Sequence, residues 1–139
     1  MNAYRSAAMP LLIVAVNGMV HGLDAANGTP VWANALDGGG FGAVEIAIEN
    51  DTVLACASGG FLFCLDYATG EVRWKAPTSG LHGRATMLAD GERVMLAKGG
   101  AVDCYAIASG ERLWSVPNLS TGSAALGVPG RVRQADVGG

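Results

Sequence analysis

A motif with a fixed spacing occurs three times in this chain of 139 residues. In each copy a small residue leads into a short turn that contains a glycine, and a tryptophan follows a few residues later. The glycines and tryptophans of the three copies are Gly28 and Trp32, Gly70 and Trp74, and Gly110 and Trp114. The copies recur with a period of about 40 residues, and such a period is typical of a four-stranded β-propeller blade. The sequence therefore predicts an all-β fold built from propeller blades.

The blades are expected to be four-stranded antiparallel meanders, because short turns separate successive apolar segments. The chain is interpreted as one domain, residues 1–139, with blades at about 1–36, 43–76 and 85–117 and half a blade at 123–139. This division predicts a partial propeller of about three and a half blades. Asn17-Gly18 and Ser58–Phe61 are each predicted to form a tight two-residue hairpin, since these residue types accept the positive φ of primed turns.

The turn before each tryptophan is predicted to hold itself together and to support the neighbouring blade. An aspartate at its start, Asp24 or Asp66, can accept hydrogen bonds from backbone N–H groups further along the turn. The third copy has Ala106 at this position, so its turn is expected to be weaker. The glycine ends the turn in the left-handed conformation. The tryptophan then lies on the outer strand, where its ring can cover a turn of the neighbouring blade.

The N-terminal apolar segment has two interpretations. Ala7–Val16 follows Arg5 and resembles a weak secretory signal. Leu11–Gly18 also aligns with Val53–Gly60 without a gap, which favours a blade strand. The apolar run is too short to cross a bilayer. The compartment stays open. Free cysteines and the lack of a convincing signal sequence slightly favour the cytoplasm over export.

The composition argues against several classes of partner and site. Nine Lys and Arg residues and a net charge of −3 provide no electrostatic reason to expect nucleic acid or an anionic membrane. Three cysteines argue against a disulfide framework. Cys64 and Cys104 occupy the small-residue position where the first copy has Gly22, so we expect them to be packing residues. No cysteine–histidine pattern predicts a metal site.

The repeat resembles the blades of the pyrroloquinoline-quinone (PQQ)-type propellers. Their tryptophan-docking motif has an aspartate, a glycine and a tryptophan at this spacing, as in Asp24–Gly28–Trp32 and Asp66–Gly70–Trp74. The resemblance covers nearly the whole chain and implies the propeller fold. It does not select a function, because the family includes quinoprotein alcohol and sugar dehydrogenases, an outer-membrane assembly lipoprotein and sensor domains of kinases. Many relatives of this repeat are exported.

The dehydrogenase members imply a catalytic aspartate, a calcium site of carboxylates and an amide, and a disulfide between neighbouring cysteines. This sequence has no adjacent cysteines, and its acidic residues are dispersed, with Asp103 alone in a third strand. No residue is therefore predicted to be catalytic or to bind a cofactor or metal, and enzymatic activity is not expected. Phe41, His82 and Arg84 precede predicted inner strands and are candidates for binding at the mouth of the central channel. The alternative is that they form a solvated rim.

Three and a half blades do not close a ring, and the open ends would expose apolar faces and unpaired strand edges. The favoured hypothesis is a non-enzymatic module for protein interaction or scaffolding that closes its ring by association with itself. We expect a dimer of about six to eight blades, in which Ala124–Val128 completes the first blade of the partner. The remainder of a longer propeller, or another protein, could fill the same role. The alternative hypothesis is a ligand-binding or quinoprotein-type domain.

Overall fold

The computed structural model describes residues 10–40, 42–79, 84–119 and 124–134, and within these ranges every regular element is a β-strand. The strands are β1 (Leu11–Val16), β2 (Met19–Asp24), β3 (Pro30–Asn34), β4 (Glu45–Glu49), β5 (Thr52–Cys56), β6 (Phe61–Asp66), β7 (Val72–Pro77), β8 (Ala85–Ala89), β9 (Arg93–Lys98), β10 (Ala101–Ala106), β11 (Arg112–Val116), β12 (Ala125–Val128) and β13 (Arg131–Gln134). No helix in the described ranges is long and apolar enough to cross a membrane.

The strands form four antiparallel sheets in chain order, which we call the first to fourth blades. The first blade is β1-β2-β3, the second is β4-β5-β6-β7, the third is β8-β9-β10-β11 and the fourth is β12-β13. Within each blade, strands that are consecutive in the chain pair as antiparallel meanders. The predicted all-β partial propeller is confirmed. Leu11–Val16, for which a strand was favoured, is β1.

Short turns determine the register of each meander. Asn17 and Gly18 have φ values of 52° and 77°, and Val16 pairs with Met19 across them, as expected for the predicted two-residue hairpin. The same prediction for Ser58–Phe61 is wrong, because Cys56 pairs with Leu62 and the loop is longer. This loop packs on the connection between the first two blades, where the Gly59 N–H donates to the Gly39 carbonyl at 2.8 Å.

The core lies between the blades. All five residues of β5 and all five of β8 are buried, because each of these strands is covered on both faces. One apolar cluster joins the second and third blades and includes Leu54, Leu62, Met87 and Leu96. A second cluster joins the first blade to the second. Burial of this kind is the main stabilising contribution to the fold, and it makes each blade depend on its neighbours.

Candidate functional site

Of the three residues predicted at the channel mouth, the structure describes only Arg84. Phe41 and His82 lie outside the described residues. Arg84 is exposed and stands directly before β8. Binding at this mouth therefore stays a prediction. His21 is half-buried in β2, opposite Val14 and Ala33.

Two of the repeated tryptophans connect neighbouring blades. The indole N–H of Trp32, in the first blade, donates to the carbonyl of Tyr67 in the second blade at 2.9 Å. The indole N–H of Trp74, in the second blade, donates to the carbonyl of Ile107 in the third blade at 2.7 Å. Both acceptors directly follow the first residue of the turn that precedes the next tryptophan. Each indole therefore satisfies a turn carbonyl one blade further along the chain.

The turn glycines allow this contact for two reasons. Gly70 and Gly110 have φ values of 75° and 79°, a conformation that disfavours residues with a Cβ. A Cβ on Gly110 would also lie 2.5 Å from Cδ2 of Trp74, and a Cβ on Gly70 would overlap the ring of Trp32. Gly28 has the same conformation, with φ 79°, but a Cβ there would have no neighbour within 4 Å. The turn of the first blade is therefore uncovered by any described residue.

The side chain at the start of the turn adds a bond in two copies. Oδ1 of Asp24 accepts from the N–H of Ala26 at 2.8 Å, and Oδ1 of Asp66 accepts from the N–H of Ala68 at 3.3 Å. Ala106 cannot make this bond. Its turn retains the backbone bond from the Gly110 N–H to the Ala106 carbonyl at 2.8 Å.

The small-residue position lies beside each tryptophan in the same sheet. Gly22, Cys64 and Cys104 are the cross-strand partners of Trp32, Trp74 and Trp114. All three cysteines of the chain are buried and unbridged. Burial raises the pKa of Cys64 and of Cys56 to about 11, so neither thiol is a thiolate at neutral pH.

Asp103 was expected to stand alone in its strand, and the structure corrects this expectation. Its carboxylate is 1% exposed and accepts three hydrogen bonds: from the Ser115 hydroxyl at 2.6 Å, the Ser79 N–H at 2.8 Å and the Tyr105 hydroxyl at 3.0 Å. Burial opposes the charge, but these bonds outweigh it and hold the pKa of Asp103 below its ordinary value. The network ties the connection between the second and third blades to β10 and β11. Arg112, whose side chain is 47% exposed, lies 3.9 Å from the carboxylate and donates to the Ser79 hydroxyl at 2.7 Å, so the network extends to the surface.

A shallow groove of about 200 Å³ lies where β4, β8 and β13 converge. Its floor is apolar, formed by residues such as Ile46 and Met87, and one end is closed by Arg131. The Arg131 guanidinium bonds Glu49 at 2.7 Å and the Ala89 carbonyl at 2.5 Å. This ion pair joins the fourth blade to the second and third. Among the described residues, no group of three or more His, Cys, Asp or Glu side chains is placed to hold a metal ion.

The outer strand of the third blade is less covered than that of the second. Trp114 is 42% exposed, whereas the equivalent Trp74 is half-buried. Val116 is 40% exposed, whereas the equivalent Ala76 is 7% exposed. The difference arises because C-terminal to the third blade the described chain supplies only β12 and β13, which lie beside β8. Trp114 and Val116 share one face of β11 and leave an apolar strip at the surface. We call it the β11 strip.

Comparisons with known proteins place this geometry in a family. The family model described as outer membrane protein assembly factor BamB matches residues 11–136. A search of curated protein sequences found no match.

Solved structures share the fold. BamB from Moraxella catarrhalis has a TM-score of 0.66 at 23% identity, over 77% of this chain and 34% of that one. The quinohemoprotein alcohol dehydrogenase from Comamonas testosteroni has a TM-score of 0.62 at 22% identity, over 76% of this chain and 19% of that one. The computationally designed Ika8 protein has a TM-score of 0.70 at 20% identity, over 85% of this chain and 37% of that one. The chain thus spans little more than a third of these proteins at most, and at such identities the likeness shows the fold alone.

Proposed function

Because the chain belongs to the PQQ-like β-propeller repeat family whose model is described as outer membrane protein assembly factor BamB, we propose that it is a non-enzymatic propeller module for protein interaction. In this proposal the module completes its ring by associating with a second copy. The repeat supplies a rigid scaffold, and the uncovered blade faces supply the interaction surface.

The observation that carries the proposal is the difference between equivalent residues of two blades. Trp74 and Ala76 of the second blade are covered by the third blade, whereas Trp114 and Val116 of the β11 strip are exposed. Contiguous apolar surface on a repeat protein marks a contact site, since stacking on a neighbour is how such surfaces are normally buried. The family is described by an outer membrane protein assembly factor, which supports a protein partner over a small substrate.

The unpaired strand edge of the first blade also supports the proposal. Its sheet contains three described strands, and β1 pairs only with β2 within the described residues. An open strand edge readily accepts another strand. Within the described residues, the module therefore has an unpaired edge at β1 of the first blade and an exposed strip at the third.

Light scattering across a dilution series tests the proposal. We expect a mass of twice the monomer at micromolar concentration, falling towards the monomer on dilution. A monodisperse monomer at all concentrations would contradict ring completion by self-association. The quinoprotein alternative stays a prediction, suggested by the shared fold of the quinohemoprotein dehydrogenase. It is tested by adding PQQ with calcium and measuring a retained chromophore after gel filtration, which we expect to be absent.

A further inference from the structure

The two connecting tryptophans follow one rule, in which each indole covers the turn of the next blade. Trp32 bonds the Tyr67 carbonyl and covers Gly70, and Trp74 bonds the Ile107 carbonyl and covers Gly110. The contact is therefore a repeated interface with a defined donor, a defined acceptor and a glycine that admits the ring.

Applied to the whole repeat, this rule leaves one tryptophan and one turn unmatched among the described residues. Trp114 is 42% exposed, and no described residue accepts from its indole N–H. The turn that starts at Asp24 has no ring on Gly28. That turn has the geometry of the covered ones, because the Gly28 N–H donates to the Asp24 carbonyl at 2.7 Å, as the Gly70 N–H does to Asp66.

From this match, and resting on the proposed function, we propose that Trp114 of one copy docks on the Asp24–Gly28 turn of a second copy. The acceptor is then the carbonyl of Ala25, which stands where Tyr67 and Ile107 stand in the covered turns. The contact is head-to-tail, since it joins two different surfaces of the same chain. Contacts of this kind close into rings when the rotation between copies permits.

The docking requires a strand exchange in the fourth blade. The Asp24–Gly28 turn of the partner can reach Trp114 only if the partner's first blade lies next to the third blade of the first copy. That position is now occupied by the pair of β12 and β13. The partner's β1 then replaces β13 beside β12. β13 pairs through only four residues and Val132 is 79% exposed, so the exchange gives up little strand pairing. It also releases the bonds of Arg131 to Glu49 and to the Ala89 carbonyl, which the new contacts must replace. The exchange also pairs the edge of β1 that no other described strand occupies.

Two variants test the contact, each on one of its two surfaces. Trp114→Ala removes the indole ring. The fold of the variant chain should tolerate this change because the Trp114 side chain is exposed. Gly28→Asn adds a Cβ that no described residue opposes but that a docked indole would meet, as at Gly110. Asn tolerates positive φ, and Asn17, Asn50 and Asn118 adopt it in this chain. Gly91→Asn is the matched control, since Gly91 has φ 90° and an equally open surrounding.

The readout is the dimer dissociation constant from light scattering or sedimentation, with far-UV circular dichroism to check folding. We expect each test variant to raise the constant about 30-fold or more, as for a central aromatic contact, while Gly91→Asn leaves it unchanged. An equimolar mixture of the two test variants should associate more tightly than either variant alone, because the mixed dimer has one intact contact between Trp114 and the Gly28 turn.

The outcomes separate the two proposals. If the unaltered chain is monomeric, both the self-association and this contact are wrong. If it associates but Trp114→Ala and Gly28→Asn associate equally well, the function stands and this contact is wrong. If the mixture associates no more tightly than either variant alone, the contact is not head-to-tail and the inference is overturned.

Discussion

Replacing the buried carboxylate of Asp103 should destabilise the protein by an amount that depends on pH. Asp103→Asn keeps the shape of the side chain and removes the charge. The amide oxygen can still accept from Ser79 and Tyr105, and its NH₂ group can donate to the Ser115 hydroxyl. The variant therefore loses mainly the extra strength of three hydrogen bonds to a charged acceptor, about 1 kcal/mol each. Relief of the desolvation cost of burying the charge offsets part of this loss, so we expect a net decrease of about 1–2 kcal/mol in the free energy of unfolding.

Asp103→Ala should cost more, because it removes every acceptor. The Tyr105 hydroxyl can turn to the Pro77 carbonyl, which is already 2.9 Å away. The backbone N–H of Ser79 then has no replacement for its bond to Asp103. An unsatisfied buried donor and a small cavity together predict a loss of about 3–4 kcal/mol.

Urea unfolding at fixed protein concentration measures these losses from the midpoint, provided that the slope is unchanged. The folded state holds the pKa of Asp103 below 3.8, so it binds fewer protons than the unfolded state. The stabilisation is therefore complete above pH 3.8 and is lost as the pH falls towards the lower pKa of the folded state. We expect the difference between the parent protein and Asp103→Asn to be constant from pH 7 to about pH 5 and to shrink below about pH 4.

Asp51→Asn is the matched control, since Asp51 pairs with Arg73 at 3.0 Å but its side chain is 75% exposed. Its loss should be below about 0.5 kcal/mol. The reasoning would be refuted if Asp103→Asn were as stable as the parent protein at pH 7, or if its deficit did not change with pH.

Three further predictions concern the blade contacts and the thiols. Trp74→Phe keeps an aromatic ring but removes the donor to the Ile107 carbonyl, so the free energy of unfolding should fall by about 1 kcal/mol. An equal fall for Trp114→Phe, measured on the dilute monomer, would contradict the role of that bond. Gly110→Ala should lower the free energy of unfolding in urea by about 2 kcal/mol or more, because the new Cβ clashes with the Trp74 ring in addition to the cost of positive φ. A loss no larger than that of Gly91→Ala would show that the Trp74 ring moves aside. A thiol reagent at pH 8 should label the native protein slowly but label all three cysteines in urea. The native thiols are buried, and those of Cys56 and Cys64 have a pKa of about 11. Fast labelling of the folded protein would contradict this prediction.

Local pattern made most of the strands and turns predictable. Strands such as Leu11–Val16 are apolar segments between turn residues, and the Asn17-Gly18 hairpin follows from which residues accept positive φ. The loop after Cys56 was predicted to be too short, because its length depends on the approach of Gly59 to Gly39, a contact between residues far apart in the chain. The channel-mouth candidates stay predictions, because Phe41 and His82 lie outside the described residues and Arg84 alone does not define a site.

Asp103 shows why the rest of the site could not be found from the sequence. Its three donors come from the linker after the second blade, from its own strand and from β11. Tyr105 lies two residues along the same strand and Ser115 is the cross-strand partner of Asp103. The Ser79 N–H reaches the carboxylate only because the connection after the second blade packs on the third, and no spacing rule predicts that contact. The sequence pattern alone described Asp103 as an isolated acidic residue.

The sequence by itself determined the repeated unit, because strand alternation, turn chemistry and the spacing from glycine to tryptophan are local properties that recur in each copy. The tertiary structure decided what each copy of the unit contacts. Trp32 and Trp74 bond the next turn, whereas Trp114 has no such bond within the described part of the chain, although all three have the same local sequence pattern. The physical reason is that a stacking surface is buried only where a neighbouring blade is present, and the order of blades in space is a property of the assembled fold.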